Sequence, residues 1–156
     1  MIKRYSRQVV AAAFVSVALS SNATAASQDE CAIWICLPGG FPAGCAAAHA
    51  AMIKRLTKLK PPLPAFGSCA VGGGNMTSTF RPAALIAERQ VCSDYRQMKD
   101  IRECIAWKTI PQHYLKGVAC RKTDAGEHPE GCITTYRYVE VFENGKQVGE
   151  TYFFKL

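Results

Sequence analysis

The sequence predicts an α+β domain, a small disulfide-stapled helical part followed by a C-terminal antiparallel β-hairpin or three-stranded sheet. Three observations carry that prediction. Eight cysteines stand in 156 residues, an even number that reads as a disulfide framework in an exported chain. Apolar residues recur at helical spacing between Gly44 and Leu59, and Pro61-Pro62 ends the run. Asn144-Gly145 separates two β-branched and aromatic runs, Ile133 to Phe142 and Lys146 to Phe154, and Asn-Gly is the preferred type I′ hairpin turn.

The first 25 residues read as a cleaved secretory signal. Lys3, Arg4 and Arg7 form its basic region, and Val9 to Leu19 is apolar but too short to span a bilayer. Ala23-Thr24-Ala25 supplies the small-x-small cleavage site. Residues 26–156 remain as one domain, long enough to bury a core. The three signal cations leave with the signal, so sixteen basic residues face twelve acids and the charge falls from +7 to +4. That charge favours acidic partners and falls short of a nucleic-acid footprint. No later run is apolar enough to cross a membrane, so a periplasmic location is expected.

Ser27-Gln28-Asp29-Glu30 has capping-box spacing, which starts a short helix running to about Leu37. Pro38-Gly39-Gly40 breaks it. In the next helix, from about Gly44 to Leu59, Cys45, His49, Met52, Leu56 and Leu59 form one stripe. Lys54, Arg55 and Lys58 lie on or beside the opposite face, where they are the candidate contact face. Gly72-Gly73-Gly74 lacks the ending of a phosphate-binding loop. Asn75-Met76-Thr77 is a glycosylation sequon, relevant only in a eukaryotic secretory pathway.

A third helix is expected from Pro82 to about Cys92. A fourth is expected from the Asp94/Gln97 start signal to about Trp107, with Met98, Ile101, Ile105 and Lys108 on one face. The helical part therefore covers about 27–110 and the β part about 117–156. Gly117 to Cys120 starts a strand that offers itself as the third in the sheet. The Asn144-Gly145 turn pairs Val141 with Val148, Val139 with Glu150 and Arg137 with Tyr152, and it brings Tyr136 to Phe153.

Cys31, Cys36, Cys45, Cys69, Cys92, Cys104, Cys120 and Cys132 allow 105 pairings. A tight turn brings Cys36 to Cys45, and the loop Arg121 to Gly131 has Cys120 and Cys132 at its ends. A bridge from Cys92 to Cys104 is disfavoured along a helix, where 1.5 Å per residue carries them roughly 13–15 Å apart. Cys31, Cys69, Cys92 and Cys104 are left unassigned.

No residue set is assigned to catalysis, a cofactor or a metal. There is no Gly-x-Ser-x-Gly, no His-Glu-x-x-His and no C-x-x-C. Zinc is the rival use of the cysteines, with Cys45 and His49 as the only close pair. His49 reads as a packed histidine, His113 as exposed, and His128 as part of a solvated acidic loop with Asp124, Glu127 and Glu130. Glu88, Glu103 and Glu140 are the residues among which a carboxylate pair would be sought.

Cys31-Ala32-Ile33-Trp34-Ile35-Cys36-Leu37-Pro38-Gly39-Gly40-Phe41-Pro42, with Gly44-Cys45 after it, resembles the signature of the TrbM/KikA family. Lys54-Arg55, Pro62-Leu63-Pro64-Ala65-Phe66 and Cys69 continue the resemblance. It implies an exported product of a conjugative plasmid transfer region. Such a protein takes part in mating-pair formation and type IV secretion, with other proteins of that machinery as partners. It implies no catalytic residue. The alternative is a cell-wall-directed enzyme or an inhibitor of a peptidoglycan-degrading enzyme. Two converging carboxylates in a cleft would favour that alternative, and an exposed apolar patch on a solid domain would favour protein contact.

Overall fold

A computed structural model describes residues 25–69 and 74–156. The signal segment, apart from Ala25, and the start of the glycine run at Gly72-Gly73 lie outside the described residues. Among the described residues two helices come first, α1 at Gln28–Cys36 and α2 at Ala46–Thr57, each followed by a short 3-10 turn, Leu37–Gly39 and Phe66–Cys69. Eight strands follow: β1 Met76–Ile86, β2 Arg89–Met98, β3 Ile101–Ile110, β4 His113–Lys116, β5 Arg121–Thr123, β6 Gly126–His128, β7 Cys132–Glu143 and β8 Lys146–Phe154. They form a four-stranded sheet in the order β4-β1-β7-β8 and two separate ribbons, β2-β3 and β5-β6.

α1 starts where its capping box predicts. The Ser27 hydroxyl accepts from the Glu30 N–H at 3.2 Å, and the Glu30 carboxylate accepts from the Ser27 N–H at 3.1 Å. α2 buries Ala48, Met52 and Leu56, while Cys45 and His49 are half-buried. Leu59 leaves the predicted stripe and is 96% exposed. The helix has already ended by then. The Lys60 N–H reaches back to the Arg55 carbonyl and the Leu59 N–H to the Leu56 carbonyl, both at 3.0 Å. This is a Schellman stop. It places Leu59 in the left-handed region at φ 56°, a position usually given to glycine.

The helical pair packs on one face of the sheet. Ile33, Trp34, Leu37, Met52, Leu56 and Leu63 meet Val139, Val141 and Phe154 in one buried cluster. A smaller cluster of Ala84, Ile86 and Cys132, with Cys120 against it, lies beneath the β5-β6 ribbon's stem. Four bridges staple the chain: Cys31–Cys69, Cys36–Cys45, Cys92–Cys104 and Cys120–Cys132.

The third and fourth helices are strands instead, so the helical part stops at Cys69 and the β part begins at Met76. Pro82, expected to open a helix, sits inside β1 opposite Arg137. Its carbonyl accepts from the Gly117 N–H at 2.8 Å, on the side of β4. The ring nitrogen points to that same side, at the end of β4, so the missing donor costs the β1-β7 ladder nothing. The spacing of Met98, Ile101 and Ile105 fits a helix as well as two strands around a turn. Met98 pairs with Ile101, and Lys99-Asp100 forms the turn with Lys99 at φ 47°. Asp94 caps no helix, and its carboxylate accepts from the Tyr95 N–H at 2.8 Å. Folding back in this way brings the Cys92 and Cys104 Cα atoms to 5.8 Å, which removes the distance objection to that bridge.

The Asn144-Gly145 turn has both central residues at positive φ, 50° and 81°, as a type I′ turn requires. Glu143 pairs with Lys146, and Val141 with Val148 as expected, but then the register jumps by two. Val139 faces Tyr152, Tyr138 faces Phe153 and Arg137 faces Phe154, in place of Glu150 opposite Val139, Tyr152 opposite Arg137 and Phe153 beside Tyr136. Opposite Glu140, β8 carries the three residues Gly149, Glu150 and Thr151. This bulge lets Pro38 of the first 3-10 turn pass directly over Gly149 and aims the Thr151 hydroxyl at Glu140, 2.9 Å away. The additional strands of the sheet are β1 and β4. Gly117 to Cys120 is not a strand, and Cys120 is held by the Thr135 hydroxyl, which accepts from its N–H at 2.9 Å.

Glu140 is the buried charged residue of the sheet. Lys116 Nζ lies 2.6 Å from its carboxylate, and the Thr79 and Thr151 hydroxyls also donate to it. Burial alone pushes this carboxyl up, but the Lys116 and hydroxyl contacts outweigh burial and hold it below the ordinary range. Glu30 is also held low, first by Arg55 and then by the Ser27 N–H. A depressed native pKa means stability that is present above the ordinary glutamate range and is lost as pH falls through the native value. The melting temperature is therefore expected to fall as pH drops below about 4.5, the ordinary value. Glu140→Gln should cost about 1–3 kcal/mol at neutral pH and flatten that acid limb, as read by thermal melts across pH.

Candidate contact site

The candidate face on α2 divides in two. Lys54 and Lys58 are exposed, but Arg55 is a structural clamp and does not belong to a free surface. Its guanidinium lies 2.8 Å from the Glu30 carboxylate and donates to the carbonyls of Pro61 and Leu63 at 2.9 and 3.1 Å. One planar fork thus ties α1, the end of α2 and the proline segment together, a geometry that suits arginine and not lysine.

Between α1 and α2 a groove of about 470 Å³ runs over Ala47, Ala50 and Ala51. The small alanines keep its floor low. Lys54, Lys58 and Lys60 stand on its rim, together with Asp29. Glu30 also lines it, but Arg55 neutralises that carboxylate. Three lysines facing one unpaired acid make the groove cationic. Leu59, between Lys58 and Lys60 in the chain, is an exposed apolar knob that borders a neighbouring hollow with Pro61, Phe80 and Arg137 rather than the groove itself. Sequence reasoning missed Lys60 and misplaced Leu59 into the core. The proline that stops the helix at Pro61 was the available signal that both follow the helix end.

A second groove of about 670 Å³ borders the Cys31–Cys69 bridge, lined by Trp34, Ile35, Phe66 and Met76. Ile35 is 79% exposed there, and the buried Trp34 Nε1 has no hydrogen-bond partner among the described residues.

The histidines do not converge. His49 packs against Phe41, with ring centroids 4.8 Å apart, and its Nε2 lies 3.3 Å from the Tyr152 hydroxyl. His113 is exposed, with Nδ1 2.9 Å from the Pro111 carbonyl. His128 is on β6, opposite Arg121. Glu88 and Glu103 contribute to no pair with Glu140, whose partners are Lys116, Thr79 and Thr151. Among the described residues no three His, Cys, Asp or Glu side chains cluster as metal ligands. All eight cysteines are in bridges. Four such bridges fit an oxidising compartment, outside the cell or in a periplasm, and no helix of the described residues is long and apolar enough to cross a membrane.

Fold and site together define a disulfide-stapled α+β domain with a cationic groove on its helical pair. Neither family models nor curated proteins nor solved structures offer a match to the chain.

Proposed function

We propose that this protein is an exported accessory or assembly factor of plasmid conjugal transfer, working in mating-pair formation and type IV secretion through protein contact. The observation that carries the contact reading is the groove: three lysines surround a low alanine floor, and the exposed Leu59 stands in the chain between two of them. An acidic segment with an apolar anchor fits that chemistry. The biological process rests on the resemblance of Cys31 to Cys69 to the TrbM/KikA signature. Those residues form the stapled unit that bears the groove. A left-handed leucine, fully exposed, is a strained and wasteful choice for folding alone, which supports a contact role for Leu59. The alternative, a cell-wall-directed enzyme or an inhibitor of a peptidoglycan-degrading enzyme, would draw support from two carboxyls converging in a cleft; Glu140 is instead partnered by Lys116, Thr79 and Thr151.

The test separates surface from scaffold. Lys54, Lys58 and Lys60 are changed together to Glu, leaving Arg55 in place, and Leu59→Gly is made separately. Both variants should fold and be exported. Leu59→Gly should raise stability by about 1 kcal/mol, because glycine accepts the left-handed position. Both should lower mating efficiency and recovery of partners in pull-downs from donor cells carrying the transfer region. Folded, exported variants that transfer at the original efficiency would remove this groove from the function.

A further inference from the structure

The β2-β3 ribbon has no role in the groove or in either buried cluster. Its two ten-residue strands pair only with each other among the described residues, so both outer edges present unpaired N–H and C=O groups. Exposed two-stranded edges of this kind template further strand pairing. An isolated ribbon is marginal in water, and here the Cys92–Cys104 bridge ties the two strands together.

Among the described residues the ribbon also holds the largest collection of exposed apolar side chains. Tyr95 is 49% exposed, Met98 51%, Ile101 69%, Ile105 45% and Trp107 63%. An unpartnered surface of this size on an exported protein marks an interaction site. Charge and area identify the occupant. Apart from Arg89, which pairs with Glu130 at the ribbon's base, the ribbon carries four basic and three acidic residues. A near-balanced surface within a cationic chain meets its own copy without net repulsion, whereas an anionic membrane or an acidic peptide would gain little from it. Met98, Ile101, Ile105 and Trp107 share one face of the ribbon, Tyr95 lying on the other under Arg102, and the four leave on the order of 500 Å² uncovered per chain. Two copies packed face to face supply roughly 1,000 Å², the least that a specific interface needs.

We propose that the β2-β3 ribbon is a self-association arm, through which two copies of this chain join about a two-fold axis. The apolar face of each ribbon packs on that of the other copy, and Trp107, Ile105, Ile101 and Met98 supply the buried apolar area. A closed pair is expected, since a two-fold contact uses the same surface on both copies.

Sedimentation equilibrium of the disulfide-intact protein should show a monomer–dimer equilibrium between about 1 and 100 μM, in the range expected of an interface of minimal size. Trp107→Ser, and separately Ile101→Ser, should raise the dimer dissociation constant at least roughly tenfold. Ile35→Ser, equally exposed but outside the ribbon, should leave it unchanged. Circular dichroism checks that each variant is folded, and both ribbon substitutions lie on exposed positions outside the core. The intrinsic fluorescence of Trp107 should shift to shorter wavelength with dimerisation, while Trp34 is already buried. A monomer throughout the range would overturn the proposal. So would open-ended assemblies, a dimer unaffected by both ribbon substitutions, or a monomer that co-sediments with phosphatidylglycerol vesicles through Trp107.

Discussion

Gly149→Val should lower the melting temperature by roughly 10 °C, a loss of about 3 kcal/mol or more. Two separate demands meet at this glycine. Its φ is 71°, where a β-branched residue is a steric outlier. A Cβ built there would run into the carbonyl oxygen, carbonyl carbon and Cβ of Pro38. Pro38 cannot swing aside as a flexible side chain would, because its backbone belongs to the 3-10 turn that carries the buried Leu37. The variant must therefore lift the helical pair from β8 or straighten the bulge, and straightening would take Thr151 away from Glu140. Gly145→Val is the comparison. Gly145 has φ 81° and nothing within 4 Å of a built Cβ. It should cost only the conformational strain, about 1–2 kcal/mol. Thermal melts of the two variants decide the matter, and equal losses would mean that the Pro38 contact adds nothing.

Removing the Cys31–Cys69 bridge with a pair of alanines should destabilise by about 4 kcal/mol, against roughly 2.5 kcal/mol for Cys36–Cys45, on the loop-entropy model. The difference follows from sequence separations of 38 and 9. The longer bridge also ties the start of α1 to the second 3-10 turn, beside Trp34 and Phe66, whose rings meet edge-on at 5.4 Å. Loss of the bridge should therefore increase quenching of Trp34 fluorescence as the groove there loosens. Denaturant unfolding of the two double variants measures the order. A smaller loss for Cys31/Cys69 than for Cys36/Cys45 would show that native geometry, not loop length, governs these bridges.

By itself the sequence determined the features that short-range chemistry decides. Ser27 and Glu30 cap α1 because both partners lie within one turn. Pro61-Pro62 ends α2 because the ring blocks the helical hydrogen bond. Asn144-Gly145 makes its turn because only such residues accept two positive φ values cheaply. Cys36–Cys45 and Cys120–Cys132 were legible because a turn or a loop sets each pair face to face. The candidate groove was half legible: Lys54 and Lys58 were placed outside by helical spacing, while Arg55, next to them in sequence, has its place only through Glu30 and the carbonyls of Pro61 and Leu63. Tertiary structure alone decided the middle of the chain. Pro82 to Trp107 carries spacings that fit helix and strand alike, and β1 is a strand because β7 and β4 flank it with hydrogen bonds no local pattern announces. The bridge Cys92–Cys104 depends on that folding back. The two-residue jump at Glu140 belongs to the same class, since it answers Pro38, more than a hundred positions away, passing over a glycine that has room for nothing larger.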